Sequence, residues 1–244
     1  MFSLAIPLSV EAVKSIKASL TRSMSEVKSS HRCEAMARGL GFRTHASLRA
    51  GVKNGVCPQA IVDGEAFVAY LRERRFSDAT APSFYIACAQ VAVSFALEKE
   101  PMLCWHGIGF GEYQRRSDGS LENMNERHER FYGDRAKLCS PHYVQQFLRA
   151  LVVLTNVERC KNITSVYGSY RLKHVAERAV SNYPTGEKLG PDYVSNGAFI
   201  AAAIHVGFKW RTSTKPNGEY YPNVGFNMST RSLRYLESGS GMRR

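Results

Sequence analysis

Apolar residues recur at the spacing of an amphipathic helix along much of this chain. Positions three and four residues apart predict helices over 9–20, 31–38, 44–52, 63–75, 83–97, 140–159, 166–183, 198–206 and 229–236. Ser9, Thr44 and Ser195 stand where a helix N-cap is expected, and Ser140-Pro141 is a typical helix start. The longest apolar run, 84–97, is shorter than a membrane span and predicts a buried helix.

Two other parts of the chain favour extended structure. Residues 208–212 and 224–228 alternate as strands do, and Asn217-Gly218 lies in the connection between them. Residues 101–116 contain aromatic residues and three glycines in a GxGxG pattern, which we interpret as a bend or bulge because no helix follows. The prediction is an α+β fold, mostly α-helical, with a C-terminal β-hairpin and an extended segment near residues 101–116.

A fourteen-residue pattern occurs near each end of the chain. Residues 29–42, SSHRCEAMARGLGF, align without a gap with residues 195–208, SNGAFIAAAIHVGF. The five identities pair Ser29 with Ser195, Ala35 with Ala201, Ala37 with Ala203, Gly41 with Gly207 and Phe42 with Phe208. Five matches among mainly small residues can arise by chance, so the pattern indicates shared packing geometry at most.

Positive charge is concentrated in the same two parts of the chain. The formal net charge is +12, and residues 1–60 contribute +6 while residues 193–244 contribute +5. We therefore distinguish a basic N-terminal helical region (1–60), a nearly neutral helical region (61–192) and a basic helix–hairpin–helix region (193–244), all expected in one compact unit. Basic surfaces attract phosphate, so the charge favours nucleic acid or a ribonucleoprotein as the partner. The alternative is a soluble protein that is basic without such a partner.

The candidate binding residues are the cations of these basic regions. In the first region, a helix, a glycine turn and a short helix outline a helix-turn-helix, although the same small residues also fit close helix packing. In the hairpin, strand alternation places Trp210 inward and two cations outward. The candidate residues are Arg32, Arg38, Arg43, Arg49, Lys209, Arg211 and Lys215.

No catalytic or metal-binding signature stands out. His174 and Glu177 are three residues apart on a predicted helix, where a solvated helix face explains them better than acid–base catalysis. The six cysteines form no CxxC pair and predict reduced thiols rather than a zinc site or disulfides. His106 beside Trp105 either stacks on a base or packs in a core. We expect no enzyme activity, no cofactor and no metal.

Several strings resemble a group of accessory proteins from proteobacterial conjugative plasmids, integrative elements and phage. They are SSHRCEAMARGLGFRTHASL, YRLKHVAE, YVSNGAFIAAAIHVGF and PNVGFNMS, and they cover the two ends and the segment near residue 170. The resemblance implies a role in replication, transfer or defence against host immunity, as for an anti-CRISPR protein. It carries over no catalytic residue.

Two functions are therefore expected, both non-enzymatic. The first is an anti-defence inhibitor that binds a host ribonucleoprotein effector, and the large neutral middle region favours it. The alternative is a DNA-binding maintenance or regulatory protein of the element, which the helix-turn-helix outline and basic ends favour. The first ten residues lack the features of a secretory signal. The expected setting is the bacterial cytoplasm, without a membrane or an evident small-molecule substrate.

Overall fold

The computed structural model describes residues 2–55 and 59–238, and within them the chain is α+β and mostly helical, as predicted. The linker predicted at 53–58 lies partly outside the described residues. The C-terminal SGSGMRR, which is predicted to be disordered, also lies outside them apart from its first residue. The helices are α1 (Val10–Ser23), α2 (Ser29–Gly39), α3 (His45–Lys53), α4 (Gly64–Glu73), α5 (Pro82–Lys99), α6 (Met124–Lys137), α7 (Pro141–Leu154), α8 (Ser169–Arg178), α9 (Asn196–Val206) and α10 (Thr230–Glu237). The strands are β1 (Ala5–Pro7), β2 (Gln59–Ile61), β3 (Leu103–Cys104), β4 (Gly107–Ile108), β5 (Arg159–Gly168), β6 (Ser181–Asn182), β7 (Lys188–Gly190), β8 (Trp210–Arg211) and β9 (Gly225–Met228).

Helices α1, α3 and α9 begin at the caps that the sequence predicts. The side chain of Ser9 accepts a hydrogen bond from the backbone N–H of Ala12, and Ser195 accepts one from Ala198. Thr44 and Ser47 form a reciprocal capping box at the start of α3. Each cap satisfies an N–H group that the first turn of a helix leaves unpaired.

The chain divides into two compact units. The first comprises Met1–Ala92 and Asn182–Lys188, and the second comprises Val93–Ser181 and Leu189–Arg244. This division runs at different positions from the charge-based regions 1–60, 61–192 and 193–244.

The core of the first unit is built mainly by α2, α4 and the start of α5. The rings of Phe67 and Phe84 stack in parallel with centroids 4.4 Å apart, and both side chains are fully buried. The hydroxyl of Tyr85 accepts a hydrogen bond of 3.2 Å from the N–H of Gly64, at the start of α4. An antiparallel pair that the sequence did not indicate, β1 with β2, aligns Ile6 with Ala60.

The core of the second unit is centred on α9. All nine residues from 196 to 204 are buried, as expected for a helix that other elements cover on every side. Helix α7 packs along α9, and the sheet β5–β9–β8 lies beside it, with Phe199 and Phe226 meeting edge to face.

The C-terminal hairpin is confirmed, with shorter strands than predicted. Strands β8 and β9 are antiparallel and align Trp210 with Phe226. Gly207, with φ of 93°, ends α9 in the left-handed conformation that glycine adopts readily.

The two copies of the repeat end their helices in the same way. The N–H of Phe42 bonds to the carbonyl of Ala37 at 2.8 Å, and the N–H of Phe208 bonds to that of Ala203 at 3.0 Å. Gly41 and Gly207 both have positive φ. Each copy is therefore a glycine-dependent helix end of the same type, followed by a phenylalanine.

The segment around residue 160 corrects the sequence-based prediction. The helix predicted over 140–159 ends at Leu154, and the connection predicted at 162–165 is part of β5. The helix predicted from 166 begins only at Ser169, and Val180, expected inward, is 71% exposed. Strand β5 forms because β9, which lies more than 50 residues later in the chain, supplies its hydrogen bonds. The register between the two strands shifts on either side of the Thr164–Phe226 pair, so the pairing is irregular.

The glycine-rich segment near residue 107 forms a tight antiparallel pair. Cys104 aligns with Gly107 across β3 and β4. Gly107 has φ of 132°, and a Cβ atom there would lie 2.2 Å from the carbonyl oxygen of Pro222. Glycine is required at this position on both counts.

None of the described helices combines the length and apolar character needed to cross a membrane.

Candidate nucleic-acid interface

A basic groove lies between α1 and α3 in the first unit. Its volume is about 620 Å³. Four of its ten lining residues are lysine or arginine and, among the described residues that line it, none is acidic. The lining residues are Val10, Val13, Lys14, Lys17, His45, Ala46, Arg49, Ala50, Val52 and Lys53. We call this feature the α1–α3 groove.

The amphipathic pattern of α1 directs its lysines to the surface. Val13, Ile16 and Leu20 are buried, whereas Lys14 and Lys17 are exposed beside them and border the groove. Their spacing of three residues places them next to each other on the helix surface.

Helix α3 packs against the rest of the first unit through a small part of its surface. Leu48 is its one buried residue within the described chain, and Ala46, Arg49, Ala50 and Lys53 are exposed. These four residues follow helical spacing, so the exposed side of α3 carries two cations separated by small side chains. Small side chains leave room for a bulky partner.

His45 reports the electrostatic potential of the groove. Burial lowers the pKa of His45, and the positive charges of Lys17 and Arg49 lower it further, against the opposing charge of Glu34. Glu34 also accepts a hydrogen bond of 3.0 Å from the backbone N–H of His45, at the start of α3. Burial is the larger cause, and the neighbouring cations add to it, so both disfavour the charged form of the imidazole.

Two of the predicted arginines line a different concavity. Arg38 and Arg43 border a depression of about 610 Å³ together with Phe42, Tyr70 and Glu73. Both arginines are exposed, as predicted, but Glu73 offsets part of their charge. Of the four predicted N-terminal arginines, only Arg49 lies in the α1–α3 groove.

The prediction that Arg32 faces a partner is wrong. Arg32 is 8% exposed, and its Nη1 atom donates to the carbonyl of Met24 at 2.8 Å and to that of Val27. Its guanidinium group ties α2 to the chain that follows α1. A buried arginine is stable here because these carbonyls satisfy its donors.

The hairpin cations are exposed as strand alternation predicted. Lys209 and Arg211 are exposed, Phe208 is buried and Trp210 is half buried, with its Nε1 atom donating to Glu100 at 3.0 Å. Lys215 differs from the prediction of a free cation, because its Nζ atom lies 3.7 Å from Glu112 and 3.8 Å from Glu219. These carboxylates offset part of its charge, although Glu219 also pairs with Arg127 at 2.6 Å.

Sequence reasoning missed Lys14, Lys17 and Lys53 as members of one site. The signal for the first two was present, since they occupy the polar side of the helix predicted over 9–20. Their approach to α3 depends on tertiary packing, which no local pattern reveals.

The thiol of Cys104 lies next to a histidine but is not activated by it. Cys104 Sγ lies 3.1 Å from His106 Nε2, but burial raises the pKa of the thiol to about 12. The thiol therefore stays protonated and is a poor nucleophile. In the part of the chain that the structure describes, no three His, Cys, Asp or Glu side chains are grouped to hold a metal ion.

Comparison of this chain with protein-family models, curated proteins and solved structures finds no match. The fold and the groove therefore define a mostly helical α+β protein with a basic concave surface, and the function is argued from that surface.

Proposed function

We propose that this protein is a non-enzymatic binding protein that holds the phosphate backbone of a nucleic acid in the α1–α3 groove. The observation that carries the proposal is the set of four cations around small apolar side chains, with no acidic residue among the described lining residues. Each phosphate neutralised by such a cation releases condensed counterions, which drives binding of nucleic acid of any sequence.

Two biological settings fit this surface. In the first, the nucleic acid belongs to a host ribonucleoprotein effector, and the protein is an anti-defence inhibitor of the anti-CRISPR kind; the resemblance to mobile-element accessory proteins supports this setting. In the second, it is duplex DNA of the element itself, and the protein has a maintenance or regulatory role. The exposed side of α3, which carries Arg49 and Lys53 beside Ala46 and Ala50, supports the second.

The primary test is binding of the full chain to nucleic acid across a salt titration. The variant is Lys14→Gln with Lys17→Gln, and the matched control is Arg22→Gln with Lys28→Gln. The control removes the same charge from exposed positions of the first unit that do not line the groove. If both lysines contact phosphate, the groove variant lowers the slope of log K against log salt by about 2, since each contact contributes about 0.9.

The control variant should retain the wild-type slope. If the groove variant and the control variant lowered the slope equally, net charge alone would explain the effect, and the proposal would be contradicted.

A second experiment separates the two settings. The wild-type protein and the groove variant are purified from bacterial cells with and without a CRISPR system, and the co-purifying nucleic acid and protein are identified. Recovery of an intact guide-RNA effector complex, lost in the groove variant, supports the inhibitor. Recovery of duplex DNA in both cell types supports the maintenance protein.

A further inference from the structure

Helix α3 faces the cations of α1 with one of its sides. Arg49 and Val52 line the α1–α3 groove from this helix. Lys14 and Lys17 line the same groove from α1, and both are exposed. The lysines of α1 therefore lie alongside α3, next to the side that carries Arg49.

A second pair of cations lies beyond the other side of α3. A Cβ atom at Gly51 would lie 2.9 Å from Cε1 of Phe42, so this side of the helix packs on the Phe42 ring. Phe42 borders a depression together with Arg38 and Arg43, and both arginines are exposed. Positions 49 and 51 lie about 160° apart around a helix of 3.6 residues per turn. The two pairs of cations therefore flank α3 on different sides.

The surface of α3 between these two sides combines small side chains with positive charge. Its exposed residues include Ala46, Arg49, Ala50 and Lys53. The sequence of the helix, HASLRAGVK, contains no Asp or Glu. Among the described lining residues, the α1–α3 groove contributes four lysines and arginines and the depression contributes two, against one acidic residue, Glu73. Charge complementarity therefore favours a polyanion as the ligand of this surface.

The dimensions of α3 suit one kind of nucleic acid. Its nine residues form a helix about 14 Å long. The major groove of B-form DNA is about 12 Å wide and admits an α-helix, whereas the major groove of duplex RNA is too narrow for side chains to read. A helix that enters the DNA groove brings cations on its two sides to the phosphates of the two strands that border the groove.

We propose, as a step that rests on the proposed function, that the nucleic acid is duplex DNA and that α3 enters its major groove. Lys14 and Lys17 contact phosphates of one strand. Arg38 and Arg43 contact phosphates of the other strand. Arg49 belongs to the inserted helix, and its guanidinium group suits the O6 and N7 acceptors of guanine.

The first test fills the major groove and leaves the phosphates unchanged. The full chain selects a duplex from a random-sequence DNA pool, and we expect the selection to enrich a sequence that contains guanine. That duplex is then prepared as unmodified DNA, as DNA with glucosylated 5-hydroxymethylcytosine at every cytosine, and as RNA. The glucose occupies the major groove. The unmodified DNA should bind about tenfold or more tightly than either other form, because base contacts are lost in both.

A bulky side chain on α3 should prevent its insertion. Ala50→Trp places a large ring on the exposed side of the helix and should weaken binding of the selected duplex about tenfold or more. The matched control is Ala136→Trp, at an exposed position of α6 that lines neither the α1–α3 groove nor the depression. The control should bind as the wild type does, and circular dichroism checks that both variants fold.

The second flank of α3 is tested by salt dependence. Arg38→Gln with Arg43→Gln should lower the slope of log K against log salt by about 2, since each phosphate contact contributes about 0.9. The control is again Arg22→Gln with Lys28→Gln, which should retain the wild-type slope.

Any of four results would overturn insertion of α3: no enriched sequence, equal binding of unmodified and glucosylated DNA, equal binding by Ala50→Trp and Ala136→Trp, or an unchanged salt slope in the double variant of Arg38 and Arg43. The double variant of Lys14 and Lys17 separates this failure from failure of the proposed function. If its slope falls while glucosylated DNA binds equally, the α1–α3 groove holds phosphate and only the insertion of α3 is wrong. If its slope is unchanged, both proposals are wrong.

Discussion

The ammonium nitrogen of Lys173 lies 2.7 Å from Oε1 of Glu177, and their side chains are only 6% and 18% exposed. Glu177 also accepts hydrogen bonds from the His174 ring and, at 3.3 Å, from the N–H of Val194. Burial alone would raise the pKa of Glu177, but the hydrogen bonds from Lys173 and His174 outweigh it and lower that pKa. The solvated helix face expected here from the sequence is therefore wrong for Lys173 and Glu177.

Replacing Lys173 with Met should strongly destabilise the second unit. The substitution leaves the Glu177 carboxylate without its buried counter-charge, which typically costs about 3–5 kcal/mol. The free energy of unfolding in urea, followed by circular dichroism, measures the loss. The exposed Lys161→Met is the matched control and should change stability by no more than about 0.5 kcal/mol.

A double variant shows whether charge is the cause. Adding Glu177→Gln to Lys173→Met removes the uncompensated charge and keeps the side-chain size. The double variant should recover part of the lost stability. If it is no more stable than Lys173→Met alone, the loss comes from packing.

Arg32 and Arg38 lie on the same helix and should respond differently to the same substitution. Arg32→Met leaves the carbonyls of Met24 and Val27 without their charged donor, at an expected cost of about 2 kcal/mol or more. Arg38 is exposed, so Arg38→Met should be nearly neutral. Urea midpoints of the two variants measure the difference; equal midpoints would contradict the structural role of Arg32.

His205 should make the protein sensitive to mild acid. Burial, together with the charge of Lys99, lowers the pKa of His205 from 6.5 to about 4. The unfolded chain therefore binds a proton in the window between these values while the folded chain does not, so stability falls as the pH drops through it. Between pH 7 and pH 5 this residue should account for a loss of about 2 kcal/mol.

The variant His205→Gln isolates that contribution. Its stability should fall less than that of the wild type when unfolding is measured at pH 7 and at pH 5. If the stability of the wild type and that of the variant changed equally between pH 7 and pH 5, His205 would be readily protonated in the folded state.

His45 should register occupation of the α1–α3 groove. Its pKa is lowered by burial and then by Lys17 and Arg49, so a bound phosphate that offsets those cations should raise it. Binding should accordingly strengthen as the pH falls towards the pKa of His45. The measurement is an NMR titration of the His45 ring resonance with and without a nucleic-acid duplex.

The pKa of His205, set mainly by burial in the other unit, serves as the internal control and should not move. An unchanged His45 titration in the presence of saturating nucleic acid would place the ligand elsewhere.

The hairpin cations provide a separate test of the second basic region. Lys209 and Arg211 are exposed on the side of the strand opposite the buried Phe208. The double change to Ala should leave the melting curve intact and reduce partner affinity at every salt concentration, with a shallower salt dependence. If the double variant melted normally and bound the partner with unchanged affinity, Lys209 and Arg211 would not be part of a binding site.

The sequence by itself determined the local elements. Apolar spacing, together with caps at Ser9, Thr44 and Ser195, was sufficient to predict helices whose starts depend on neighbouring residues alone. Gly207 predicted the end of α9 because only a residue that tolerates positive φ suits that position. The outward direction of Lys209 and Arg211 likewise followed from strand alternation.

Only the tertiary structure decided which distant residues meet. Strand β5 exists because β9 pairs with it, and Arg32 is buried because the chain after α1 presents carbonyls to it. The α1–α3 groove brings together lysines and an arginine that are more than 30 residues apart. Local patterns carry no information on such pairs, because their energies depend on groups that come together only when the chain folds.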